Sequence, residues 1–345
     1  MSGKGQKAKR KPASQAAKVA FLRKPSSYPH RPTRVKAVES HMSWVFLADD
    51  HAYKLKKSVR YPFLDFSTLE ARRANCRAEL RLNRRLAPEA YYGIESLVMA
   101  ADGHLHIGGP GQVTDWLVHM RRLPDERMLD RAIRRKVLKP RDIRPAAEML
   151  AAFYRAAPAV RVAKGRYLDR FAADVEENLR ELQNPAFGLP QMRVQAIGRA
   201  QRRFLEDSSG LLERRLAEGR MIEAHGDLRP EHISLGPPPE VIDCLEFNRA
   251  FRLLDPAEEL SFLSIECEQL GASWVGEAFF RTYRRATGDR PPKPLIAFYM
   301  SYRAFLRAKL AIWHLKERQP RTPAKWPRLA RSYLRIALAH TRNFQ

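Results

Sequence analysis

Asp227 and Asp243 are the residues whose types and spacing are best suited to chemistry. Asp227 lies in "HGDLRPEHISL", residues 225–235, where Gly, Pro and charged residues cluster and a loop is expected. Asp243 follows in "EVIDCLEF", among Val241, Ile242 and Leu245, which reads as a short strand. A loop carboxylate followed by a carboxylate leaving a strand is the arrangement a metal–nucleotide site requires. Phosphoryl transfer needs one carboxylate to orient the acceptor hydroxyl, ligands to hold magnesium on the phosphates, and a lysine to neutralise and position them. Asp227 fits the first role and Asp243 the second. Alone, either would pass as an Asx-turn or exposed strand residue; it is the loop–strand pair that points to a site.

Positioning such groups takes two kinds of scaffold, and the chain supplies both. In its first half, "WVFLADDHAYKLKK" reads as a hairpin turning at Asp49-Asp50, "SLVMAADGHLHIG" as strand, Asp-Gly turn and strand, and "TDWLVHMRRLP" as a further strand stopped by Pro124. One helix interrupts them, with Leu69, Cys76, Leu80, Leu82 and Leu86 near helical spacing, Ser67 or Thr68 as its cap, and Pro88 closing it. From Asp125 the apolar spacing becomes helical almost throughout, as in "RPAAEMLAAFYRAA", "DRFAADVEENLRELQ" and "PLIAFYMSYRAFLRAKLAIWHLK". Two short strands within 222–244 flank the Asp227 loop. Residues 1–28, basic and poor in large apolar groups, read as a disordered tail. The expected organisation is therefore a tail over 1–28, a strand-rich lobe over 29–123 and a helical lobe over 124–345.

Composition narrows the function classes. The 345 residues carry 44% hydrophobic and 29% charged residues, an ordinary balance for a soluble protein. No apolar run approaches the roughly 20 residues of a membrane span, and the N-terminus lacks the apolar stretch of a secretory signal. Three cysteines without CxxC or zinc-finger spacing favour a reducing cytoplasm. The net charge of +25 is spread along the chain, in "RLNRRL", "RAIRRK" and "RAQRRF". That distribution allows nonspecific polyanion binding without defining a nucleic-acid module.

The motifs together resemble the aminoglycoside phosphotransferase and choline kinase-like families, which share the two-lobed protein-kinase-like fold. Those families carry H-G-D-x-x-x-x-N, an I-D strand, then D-P-x-x-D-L. Here the order is His225-Gly226-Asp227, Ile242-Asp243, then "DPAEEL" with Asp255 and Glu259. "SWVFLADDHAYKLKK", "FLDFSTLEARR", "AELRLNRRLAPE" and "DCLEFN" resemble a bacterial branch often fused to a P-loop ATPase domain, although no GxxxxGK[ST] occurs in this sequence. The implied fold is α+β, with a small β-rich N-lobe and a larger helical C-lobe. The implied cofactors are ATP and Mg2+, with Mn2+ as the alternative ion.

Further roles follow from the resemblance. In "Ala52-Tyr53-Lys54" the A-x-K pattern places Ala52 over adenine and Lys54 on the phosphates, with Lys56 on the same strand face as the other candidate. Glu79 would be the helical partner of that lysine, or else an exposed helix residue. The segment around His119 and Met120 lies where such folds bind adenine through backbone groups. Asp255 would cap a helix and brace the loop, His225 would brace it by hydrogen bonds, and Glu246 and Asn248 would reach substrate or a second ion, or else hold the loop. The departure is His232, where the families have a metal-binding Asn. An imidazole there either takes a softer ion, leaves the oxygen to Glu231, lets the second metal go, or only shapes the loop.

These features lead to an ATP-dependent phosphotransferase acting on a hydroxyl of a small molecule. The alternative is a non-catalytic kinase-like protein that binds nucleotide or regulates a partner, and a weaker third reading is association with nucleic acid. The positive charge suits a neutral or anionic acceptor better than a polycationic aminoglycoside.

Overall fold

Alternating apolar and polar residues from Val35 to Lys56 form three antiparallel strands: β1 (Val35–Glu39), β2 (Ser43–Ala48) and β3 (His51–Lys56). In the computed structural model, which describes residues 13–316 and 322–344, these strands begin the first of two units. That unit runs to Leu123 and also contains Glu246–Asn248; the second comprises Pro124–Leu245 and the chain from Arg249 onward.

In the first unit, a small hairpin of β4 (Arg60–Tyr61) and β5 (Leu64–Asp65) precedes α2 (Leu69–Asn83). Thr68 caps α2, its side chain accepting from the Ala71 amide at 3.1 Å. β6 (Tyr91–Met99), β7 (Leu105–Ile107) and β8 (Gln112–Arg121) complete a six-stranded sheet of order β1-β2-β3-β8-β6-β7. β3 pairs with β8 so that Ala52 lies opposite Met120 and Lys54 opposite Val118. Tyr53 and Leu55 of β3 join the core with Phe46 and Leu117, leaving Ala52, Lys54 and Lys56 for the other face.

The N-terminal segment departs from the expected disorder. Residues 1–12 lie outside the described residues, but Gln15–Leu22 forms a helix, α1, whose Leu22 is fully buried in the sheet core beside Tyr28. The reason is electrostatic as well as apolar. Asp115 of β8, itself buried, receives the Lys18 ammonium of α1 at 2.7 Å and the Arg72 guanidinium of α2 at 2.7 Å. One carboxylate thus ties two helices to the sheet, a long-range pairing that tail composition does not show.

The second unit is helical: α3 (Leu129–Arg134), α4 (Pro140–Ala156), α5 (Lys164–Leu182), α6 (Gln191–Asp207), α7 (Ser209–Ala217), α8 (Pro256–Gln269), α9 (Ser273–Thr287), α10 (Lys293–Trp313) and α11 (Lys325–Thr341). Leu182, Ile197, Phe305, Tyr333 and Leu334 pack α5, α6, α10 and α11 into one core. α8 is buried from Pro256 to Cys267. Four two-residue strands frame the Asp227 loop: β9 (Ile222–Glu223) pairs with β12 (Leu253–Leu254), and β10 (Ile233–Ser234) with β11 (Glu240–Val241).

Candidate active site

The Asp227 loop is shaped by its neighbours before it does anything chemical. Gly226 has φ +89°, and a Cβ there would lie 3.0 Å from Cγ of Arg252 and 3.3 Å from the Phe251 carbonyl oxygen, so any other residue would be strained and crowded. Its amide donates to Glu259 Oε1 at 2.6 Å, while Glu259 Oε2 accepts from the Tyr154 hydroxyl at 2.9 Å. Glu259 therefore holds the loop. Asp255, expected to cap and brace, does cap α8 by accepting from the Ala257 amide at 2.8 Å. Its oxygens also accept from Arg215, which bonds both of them and Asp289 as well, and Oδ2 accepts from the Tyr299 hydroxyl at 3.3 Å. Burial holds the carboxyls of both Asp255 and Glu259 above their ordinary range.

His225 is buried and neutral. Its Nε2 donates to the Ile242 carbonyl at 3.0 Å, which leaves Nδ1 to accept from the Asp227 amide at 3.3 Å. Burial, and then the neighbouring His232, push it down to about 3. These two bonds span from the loop to the segment that follows β11 and carries Asp243; β11 itself ends at Val241, so Asp243 lies just beyond the strand expected to hold it.

Asp227 itself is partly exposed. Arg229 Nη2 lies 3.0 Å from its Oδ2, and Arg229 Nη1 lies 2.8 Å from Glu231 Oε1. Burial would raise the Asp227 carboxyl, but Arg229, His232 and Arg307 outweigh it and hold the group below the usual range. His232 Nδ1 donates to the Asp227 carbonyl at 2.8 Å, so its Nε2 is the acceptor, 3.1 Å from Arg229 Nη2. The same Nε2 lies 3.5 Å from Asp243 Oδ2, and Nδ1 lies 3.9 Å from Asp227 Oδ2. His232 is thus the point on which both carboxylates converge. Asp243 has φ +62°, unusual for a residue with a Cβ, and its side chain is about half exposed.

The donor set suits a divalent cation in one respect. Asp243 offers a solvent-facing oxygen with a histidine nitrogen beside it, whereas Asp227 and His232 Nε2 already engage Arg229. Among the described residues no cluster of three or more His, Cys, Asp or Glu side chains is poised to hold a metal alone. One or two protein ligands completed by phosphates and water is how magnesium commonly binds.

The first unit assembles the lysines. Lys54 Nζ lies 2.9 Å from Glu79 Oε1, and Lys56 contacts Glu79 Oε2 and also Glu246. Lys56 and Glu79 are buried, while Lys54 keeps slight exposure. Burial would lower Lys56, but Glu246 and Glu79 overcome it and hold the ammonium above the ordinary lysine range. Glu79 is therefore interior, not an exposed helix residue, and Glu246 is bound to a lysine. Ala52 and Met120 sit opposite each other on the Lys54 face. The His119 ring stacks on Tyr53 at 4.3 Å, its Nε2 bonds His51 Nδ1 at 2.8 Å, and burial, then His51, push it down to about 4.

Arg229 is the residue that sequence reasoning passed over. Its signal was available: a cation two positions after the loop carboxylate, which a turn through Pro230 can fold back onto it.

The two-lobed arrangement is the protein-kinase-like α+β fold. The structure is similar to a choline/ethanolamine kinase family protein from Mesorhizobium loti, with TM-score 0.54 and 16% identity, covering 94% of this chain and 99% of that one. It is equally similar to the GDP complex of aminoglycoside 2'-phosphotransferase-IIIa, with TM-score 0.54, 14% identity and the same coverage. Choline kinase of Cryptosporidium parvum Iowa II follows, with TM-score 0.53 and 10% identity over 95% of this chain and 94% of that one. In sequence, the chain is 32% identical over 294 residues to uncharacterized proteins of Mycobacterium tuberculosis and Mycobacterium bovis, covering 83% of this chain. It spans about half the length of these curated relatives, 56%. No family model matches the chain. Among the described residues, no helix is long and apolar enough to cross a membrane.

Proposed function

We propose that the protein transfers the γ-phosphate of ATP to a hydroxyl of a small molecule. The observation that carries this reading is the convergence of Asp227 and Asp243 on His232, at 3.9 and 3.5 Å, in a loop whose backbone favours glycine before Asp227. Asp227 is the group that orients the acceptor hydroxyl. Held ionised by Arg229, it is a weak base, suited to aligning the nucleophile and taking its proton late. Lys54, aimed by Glu79, is the phosphate-positioning cation, with Ala52 and Met120 placed for the base. Lys56 is the less suitable of the two lysines because two carboxylates engage it inside the unit. Asp243, with His232 beside it, would hold a divalent cation, whose chemistry is to neutralise charge across the phosphates.

The charges of Arg229 and Arg307 both act on Asp227. They suit a neutral or anionic acceptor, such as a sugar, a sugar acid or a phosphorylated metabolite, and oppose a polycation. A cytoplasmic setting and nonspecific polyanion binding belong to the same proposal. A second reading, nucleotide binding without transfer, is favoured by His232, whose Nε2 is occupied by Arg229. Thermal shift with ATP, with and without Mg2+ or Mn2+, followed by phosphate-transfer assays over metabolite pools, separates the two. Metal-dependent stabilisation with turnover supports transfer, and turnover restricted to kanamycin-like compounds refutes the acceptor class. Stabilisation with no turnover on any acceptor supports the second reading.

A further inference from the structure

The first unit contains a cleft of about 600 Å³ between the β4–β5 hairpin and α2, lined by none of the residues assigned above. Its size falls in the range of small-molecule sites. Small residues on α2, among them Ala71, Ala74 and Ala78, form the helix side and leave room beneath the hairpin. Tyr61 and Phe63 form its aromatic side. Their rings lie 5.7 Å apart at an interplanar angle of 11°, and both are more than a third exposed. Phe247 closes one end, its ring 5.7 Å from that of Phe63. Asn75 also lines the cleft; it is only 8% exposed, and its Oδ1 has no hydrogen-bond partner. A buried carbonyl oxygen without a donor is costly unless something supplies one. Arg60 and Asp65, paired at 3.4 Å and well exposed, add a donor and an acceptor at the rim.

We propose that this cleft binds a small carbohydrate, with a C–H face of the ring on Tyr61 and Phe63 and a hydroxyl donating to Asn75 Oδ1. Hydroxyls donate and accept, as the mixed lining requires, and a sugar's C–H face suits an aromatic platform. A planar apolar compound would leave Asn75 Oδ1 unpaired. The cleft is also connected to the lysines. Asn75 lies one turn before Glu79 on α2, and Phe247 adjoins Glu246, so both walls carry carboxylates that bind Lys56. A sugar that tightens these walls holds Glu79 against Lys54 and Lys56.

Binding is read by ligand-observed saturation-transfer NMR on the full chain, using D-glucose, D-ribose, N-acetylglucosamine and myo-inositol, with caffeine as the planar contrast. At least one of the polyols should saturate in the low-millimolar range. Tyr61→Ala and Phe63→Ala should weaken it tenfold or more, and Asn75→Leu severalfold. Hydrogen exchange on the wild-type protein should show protection over residues 60–78 with the same ligand, a readout independent of whether any variant folds. Absence of saturation by every polyol, caffeine binding in their place, or protection confined to other segments overturns the assignment. Because the readout is binding, repeating it with Asp227→Asn separates failure of this site from failure of the phosphotransferase reading.

Discussion

Lys56 and Asp227 are both charged groups facing opposite charge, yet their surroundings differ in kind. Lys56 is buried between Glu79 and Glu246 with its ammonium stabilised far from solvent. Asp227 is partly exposed, has one guanidinium on one oxygen, and keeps its other lone pairs available. The first arrangement fixes geometry: removing one member leaves uncompensated charge in the interior. The second leaves a charge that can still act on something else. Lys54 lies between these extremes, sharing Glu79 with Lys56 while retaining some exposure. The contrast shows that pairing alone does not mark a reactive residue. What matters is the capacity left over after pairing.

The largest expected effect is on the reactive side. Asp243→Ala should abolish metal-dependent stabilisation by ATP in thermal shift, because it removes the oxygen ligand. Asp227→Asn should lower kcat by roughly a hundredfold or more while leaving nucleotide affinity nearly unchanged. Equal, small losses from both would erase the proposed distinction between ligand and orienting carboxylate.

The next effect is on the structural side. Lys56→Met should destabilise the protein by about 3–5 kcal/mol in urea unfolding, since Glu79 and Glu246 are left without their shared cation. Lys54→Met should cost much less stability but strongly reduce turnover. If the two variants exchange these phenotypes, Lys56 is the phosphate-positioning lysine.

Acidification should act through the second unit. The folded His225 titrates at about 3, whereas an unfolded histidine titrates near 6.5, so the unfolded chain binds the extra proton first. Its contribution is complete above about pH 6.5 and is lost as pH falls toward 3, at about 1.4 kcal/mol per unit. Asp227, with its lowered carboxyl, adds loss in the same direction below the ordinary carboxylate range. Urea unfolding of His225→Asn across pH 7 to 4 should show a flatter profile than wild type.

The smallest effect concerns His232. Turnover should be severalfold higher in Mn2+ than in Mg2+, and His232→Asn should raise the magnesium-supported rate by supplying an oxygen. Unchanged metal preference in the variant would mean that His232 serves only to hold the Asp227 carbonyl and Arg229.

Short-range signals determined a good deal. The loop of His225–Asp227, the short strand ahead of Asp243, the Thr68 cap and the change from strand to helical periodicity near Pro124 depend on neighbouring residue types, which the sequence displays directly. Which charges find each other was decided by the tertiary structure. Lys18 with Asp115, Lys56 with Glu246, and Gly226 with Glu259 join residues far apart in the chain. Composition presented α1 as tail because its burial depends on a carboxylate of β8, and the A-x-K pattern pointed to Lys54 while strand alternation kept Lys56 on the same face as a candidate. Packing separates their environments, by enclosing Lys56 between two carboxylates and leaving Lys54 slightly exposed. Desolvation and pair geometry depend on the folded neighbourhood, which the sequence specifies but does not display.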